Sequence, residues 1–130
     1  MRERINRSER VVVAQQQLAA RAESTCIRLN ARILELRQRQ ELLLAEMATT
    51  HGRFLHLYAR HLDRVSADLR TAEAERNEAL AELLRRKRLL EAWQRRVALL
   101  CAQYQQQSAR IELAETIEAA LVAPPVASLP

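Results

Sequence analysis

Glycine is almost missing: Gly52 is the single one in 130 residues. That excludes the glycine-rich loops that cradle phosphates, and no HExxH or GxSxG pattern is present either, so no catalytic activity is expected. Aromatic residues reach only 3%, too few for a broad globular core. The two cysteines, Cys26 and Cys101, have no CxxC spacing. They cannot form a disulfide framework and are expected to be reduced, small apolar residues on a buried face. No apolar run approaches the roughly 20 residues that span a bilayer, and the Arg-studded N-terminus lacks the uninterrupted apolar core of a signal peptide. The expectation is a cytoplasmic chain with no membrane insertion. Its three histidines, His51, His56 and His61, are spaced by five, which turns each about 140° from the last around a helix. They do not converge, so neither a metal nor a cofactor is expected.

What the sequence does contain is aliphatic and charged: 48% apolar and 28% charged residues, the mixture of narrow apolar seams on solvated helices. Read as heptads, residues 5–57 place Ile5, Val12, Ala19, Cys26, Ile33, Gln40, Met47 and Phe54 at one seam position. Ser8, Gln15, Ala22, Leu29, Leu36, Leu43, Thr50 and Leu57 fall at the other. Twelve of these 16 are apolar, against about 8 from composition alone, and the repeat is sustained as in a coiled coil. A second register runs from Leu62 through Leu69, Arg76, Leu83, Leu90, Val97, Tyr104, Ile111 and Glu118. Its companion set is Val65, Ala72, Ala79, Arg86, Trp93, Leu100, Gln107, Ala114 and Leu121.

The two registers differ in phase by one residue near 58–62, as expected where a chain turns back. If residue i faces residue 126 − i, seam meets seam, and polar residues meet at Gln40/Arg86, Thr50/Arg76 and Ser8/Glu118. Arg7 and Arg10 then come near Glu112, Glu115 and Glu118, and Cys26 lies opposite Leu100. The expected fold is therefore all-α, a long antiparallel two-helix coiled-coil hairpin over residues 1–122 with its turn near residues 59–66. The alternative turn lies at residues 49–53, where Gly52 would suit a helix end; folding there leaves the amphipathic stretch 101–122 unpaired. Beyond Glu118 the charges stop and Pro124 and Pro125 end the helix, so residues 123–130 are expected to be a disordered tail.

The net charge is +5, which raises nucleic acid as a partner. The densest basic stretch, Arg85-Arg86-Lys87-Arg88, sits in a half of the chain whose bases and acids balance, and it can form pairs within the helix such as Glu82–Arg86 and Glu91–Arg95. A solvated helix face is favoured over phosphate tracking, and no nucleic acid is expected. Residues 53–62, Arg-Phe-Leu-His-Leu-Tyr-Ala-Arg-His-Leu, carry more apolar side chains than a two-stranded seam covers. An apolar cluster with aromatic members beside a turn suits a protein-binding hot spot.

In layout, residues 1–122 resemble the small coiled-coil stalk proteins of virulence and flagellar type III secretion, the YscO/SctO family and its flagellar counterpart FliJ. The likeness lies in size, an Arg- and Gln-rich basic chain, two long amphipathic helices and a mid-chain apolar tip; it includes no sharp motif. It implies a central stalk whose paired helix ends enter a hexameric secretion ATPase and whose tip meets the cytosolic domain of the export gate, with secretion chaperones as further partners. Carried over by position, Phe54, Leu55, Tyr58 and His61 would form the tip surface. Arg4, Arg7, Arg10, Ile117 and Leu121 would form the ATPase-facing end. A structural coiled-coil subunit of another assembly, a secretion chaperone or cargo adaptor, and a nucleic-acid-binding helical protein are the competing readings.

Overall fold

The computed structural model describes residues 1–122; the expected tail at 123–130 lies outside the described residues. Two helices make up the described chain, α1 (Arg2–Thr49) and α2 (Leu55–Val122). Both consist mainly of Ala, Leu, Arg, Glu and Gln, the strongest helix formers, and neither contains a Gly or Pro. Contacts divide the molecule into two compact units. A terminal unit contains Met1–Val13 and the chain from Glu91 on, and a turn unit contains Ala14–Leu90.

The turn unit is a helical hairpin. Ile33, Leu36, Leu43, Val65 and Ala72 form its buried cluster, with Tyr58, Leu62 and Leu69 packed against it. Two cross-helix bonds fix its register: the Arg37 guanidinium donates to Glu73 Oε1 at 3.2 Å, and Gln40 Nε2 donates to Ser66 Oγ at 3.2 Å. In the terminal unit, Ile5 and Ser8 of α1 and Leu100 of α2 are buried. Every one of the ten buried residues in the two units occupies an assigned seam position, so the heptad reading identified the inward faces.

The turn expected near 59–66 is not there. His61, Asp63 and Arg64 lie inside α2 without a break, and the chain turns at residues 50–54, the alternative site. The physical cause is local. Gly52 adopts φ +90°, a backbone conformation that residues with a Cβ rarely take. The hydroxyls of Thr49 and Thr50 donate to the Glu46 carbonyl at 3.1 and 2.7 Å, satisfying one of the acceptors that a helix end leaves open. The Gly52 carbonyl then accepts from Leu55 N–H, and the Phe54 carbonyl from Leu57 and Tyr58 N–H, which starts α2.

This turn changes the pairing. Partners across the hairpin carry numbers that add to 106 and 110 (40 with 66, 37 with 73), not 126. Gln40 meets Ser66 instead of Arg86, and Arg86 is held on its own helix by Glu82, Nε to Oε1 at 2.8 Å. In this register Cys26 falls opposite the region of Leu83 and not Leu100; both cysteines are free thiols. Of the expected pairs within α2, Glu82–Arg86 is joined by Arg85–Glu82, and Glu91–Arg95 closes at 3.8 Å.

Candidate partner-binding sites

The first site surrounds the turn. Phe54, Leu55 and Leu57 sit where α2 begins, with little of α1 alongside to cover them, and are 58%, 41% and 50% exposed. Phe54, Leu57, Tyr58 and His61 share a groove of about 390 Å³ with Leu43 and Glu46 from the end of α1. Its walls are apolar, and Glu46 and His61 supply polar groups at its edge, an arrangement suited to an apolar side chain flanked by hydrogen-bonding groups.

Three of the four expected tip residues, Phe54, Tyr58 and His61, therefore meet at one groove. Leu55 is exposed beside the turn but does not line it. Tyr58 is half-buried and packs against the hairpin core, so it supports the fold as well as the groove wall. Leu57 and Leu43 are walls that the tip expectation did not name. Both lie on the first seam, and only the position of the turn leaves Leu57 outside the core.

The second site is in the terminal unit. Arg4, Arg7, Ser8 and Val11 from α1 face Trp93 and Arg96 from α2 around a groove of about 250 Å³. The Arg96 guanidinium carbon lies 5.3 Å from the centre of the Trp93 ring. Such a cation–π contact contributes about 0.5–1 kcal/mol at an exposed site and holds the guanidinium over a flat apolar floor. Three arginines with no carboxylate in the lining favour an anionic ligand group next to an apolar one.

The residues expected at this end do not assemble as one surface. Arg4 and Arg7 join the Trp93 groove, while Arg10 lines a separate shallow depression with Asn6, Glu9 and Val13. Ile117 and Leu121 are exposed, but Ile117 is 24 residues beyond Trp93 on the same helix, about 36 Å at about 1.5 Å per residue. The shifted register is the reason, since it sets the start of α1 against the Trp93–Leu100 region and not against residues 112–121. For the same reason Arg7 and Arg10 form no ion pair with Glu112, Glu115 or Glu118. Trp93 and Arg96 were missed as site residues; the signal available was the only Trp of the chain, one turn ahead of an arginine.

From Ala109 to Val122 every residue of α2 is exposed. This segment includes Ile111, Leu113, Ile117, Leu121 and Val122, all large and apolar. No helix among the described residues is long and apolar enough to cross a membrane. Compared with protein-family models, with curated proteins and with solved structures, the chain matches none.

Proposed function

We propose that this chain is a non-enzymatic coiled-coil component of a type III protein secretion apparatus, acting in the cytoplasm as a central stalk that couples a hexameric export ATPase to the cytosolic domain of the export gate. The observation that carries the reading is the exposed Phe54–Leu57 cluster at the turn. A turn that only reverses a coiled coil needs no large apolar side chains facing water, and their presence beside a groove supports a binding tip. The terminal unit offers a chemically different surface, basic around Trp93 and apolar along the α2 end. Two unlike surfaces in separate units suit a protein that engages two partners. The turn surface is assigned to the export gate, and the terminal unit to the ATPase.

A second reading, a structural coiled-coil subunit or a secretion chaperone or adaptor, draws on the uncovered residues 109–122, which a partner helix would shield. One set of titrations separates the two. Purified export ATPase and export-gate cytosolic domains are titrated with the wild type, with Phe54→Ala/Leu57→Ala and with Arg7→Glu/Arg10→Glu. The stalk reading expects the first variant to weaken gate binding about 10-fold or more while leaving ATPase binding intact, because aromatic anchors commonly contribute 2 kcal/mol or more. The charge reversal should do the opposite. If neither domain binds the wild type at micromolar concentration, the stalk reading fails and the structural-subunit reading replaces it.

A further inference from the structure

Two surfaces of the terminal unit complement each other in charge. The first is the Trp93 groove, whose Arg4, Arg7 and Arg96 take part in no ion pair among the described residues. The second is the end of α2. There Leu113, Ile117 and Leu121 recur every fourth residue along one helix face, 61%, 50% and 80% exposed. Ala114 lies within the stripe and Glu118 beside it. Residues 109–122 hold Glu112, Glu115 and Glu118 against Arg110; Glu118 is the one that borders the stripe, so the edge of this face is acidic where the groove is basic.

Within one chain these surfaces cannot meet. The α2 wall of the groove and the acidic end belong to one unbroken helix from Leu55 to Val122, and Arg96 is separated from Glu112 by about 24 Å of helix. Folding the acidic end back onto the groove would require breaking a helix that contains no Gly or Pro. Between two copies of the molecule that restriction of a shared helix does not apply.

We propose that the acidic, leucine-striped end of α2 docks against the Trp93 groove of a second copy of this chain, and that the exchange is reciprocal. Each copy supplies one groove and one helix end. A two-fold axis therefore satisfies both at once and closes the assembly as a dimer instead of propagating a filament. Leu113, Ile117 and Leu121 are the apolar contacts, with Trp93 and Val11 as their counterpart, and Glu118, at the edge of the stripe one turn before Leu121, pairs with the arginines Arg4, Arg7 and Arg96. Once one end is docked, the second contact forms at high effective concentration, so two modest grooves act as one interface. This dimer goes beyond the secretion-stalk reading and does not rest on it, because the purified chain alone should form it; it covers the terminal-unit surface that the stalk reading gives to the ATPase, so the two associations compete.

Sedimentation equilibrium of the full chain is the test. The wild type should dimerise in the micromolar range and dissociate as salt is raised, because screening weakens the charge contacts. Leu113→Glu/Ile117→Glu should be monomeric with unchanged helicity, both positions being exposed. The decisive arm is a charge swap. Arg4→Glu/Arg7→Glu/Arg96→Glu makes the groove acidic like the helix end it receives, and Glu118→Arg sets a cation against the basic groove. Each variant alone should be monomeric, and an equimolar mixture should dimerise, since every contact is then between opposite charges. A wild type that stays monomeric overturns the proposal. So does a dimer indifferent to Leu113→Glu/Ile117→Glu, or a mixture that associates no better than its components.

Discussion

Leu36, 1% exposed, is the most deeply buried large side chain in the structure, whereas Arg88 in the basic run faces solvent. Leu36→Ala should cost about 2–5 kcal/mol through lost burial and the cavity left behind. Arg88→Ala should stay within about 0.5 kcal/mol of the wild type. Urea denaturation followed by circular dichroism measures both, and equal losses at the two sites would refute the assigned faces. At this scale the sequence was legible, because whether a residue faces inward depends on its phase in a local repeat. Position alone told that Ser8 and Cys26 are buried and that Val13 and Ile27 are not, although hydropathy would rank Ile27 above Ser8. Hydrogen-bond satisfaction was not legible in the same way. Arg76 sits on the seam with its Nε shielded and unpartnered, as is Gln15 Oε1, and a buried group left unpaired costs about 1–3 kcal/mol. Arg86, also on the seam, avoids that cost by reaching Glu82 one turn back.

Between elements, a single residue decides the pairing. Gly52→Ala should destabilise the hairpin by about 1–2 kcal/mol, the cost of holding a residue with a Cβ in the left-handed region. Space is not the cause, since a Cβ there would meet no atom within 4 Å. Asp63→Ala, in the middle of the turn first expected, should shift stability by no more than about 0.5 kcal/mol, because Asp63 is an exposed residue inside α2. Thermal melts of the two variants would distinguish the turn sites, and a larger loss at Asp63 would contradict the turn at 50–54. The heptad pattern could not locate the turn because a seven-residue repeat looks much the same after one helix slides along the other. Matching polar layers favours a turn at residues 59–66, since a turn at 49–53 sets Arg76 and Arg86 against apolar seam residues. The long stem of arginine lowers the cost of that pairing by covering apolar surface while its head seeks water or a neighbouring carboxylate. The candidate sites inherit the same limit. The exposed cluster at 54–58 was visible as an excess of apolar residues, but the meeting of Arg4 and Arg7 with Trp93 and Arg96 depends on the register and could not be read without it.

For the molecule as a whole, the register distributes stability unevenly. Helices in water draw most of their stability from packing of an apolar face, and short stretches without it are marginal. Outside the turn residues Phe54 and Leu57, the hairpin between Cys26 and Leu83 has its seam buried or half-buried on both helices, whereas residues 109–122 of α2 are exposed all round. Amide exchange should therefore be slowest in the Ile33–Leu43 and Val65–Ala72 stretches, where opening requires breaking the core, and fast from Ala109 to Val122, where fraying breaks no tertiary contact. Followed by mass spectrometry in the dilute, monomeric chain, the gradient should be steep. It should also respond to concentration. If the α2 end docks on a second copy, its exchange slows as the protein associates, and Met1–Val13 slows with it because the same contact covers Arg4 and Arg7. Rates around Ile33 stay tied to global unfolding of the chain. In the Leu113→Glu/Ile117→Glu variant the α2 end should exchange fast at every concentration. Equal protection of residues 109–122 and 33–43 in the dilute wild type would show that the end of α2 is packed within its own chain. The register described above would then be wrong, and the reciprocal dimer would lose the uncovered surface on which it depends.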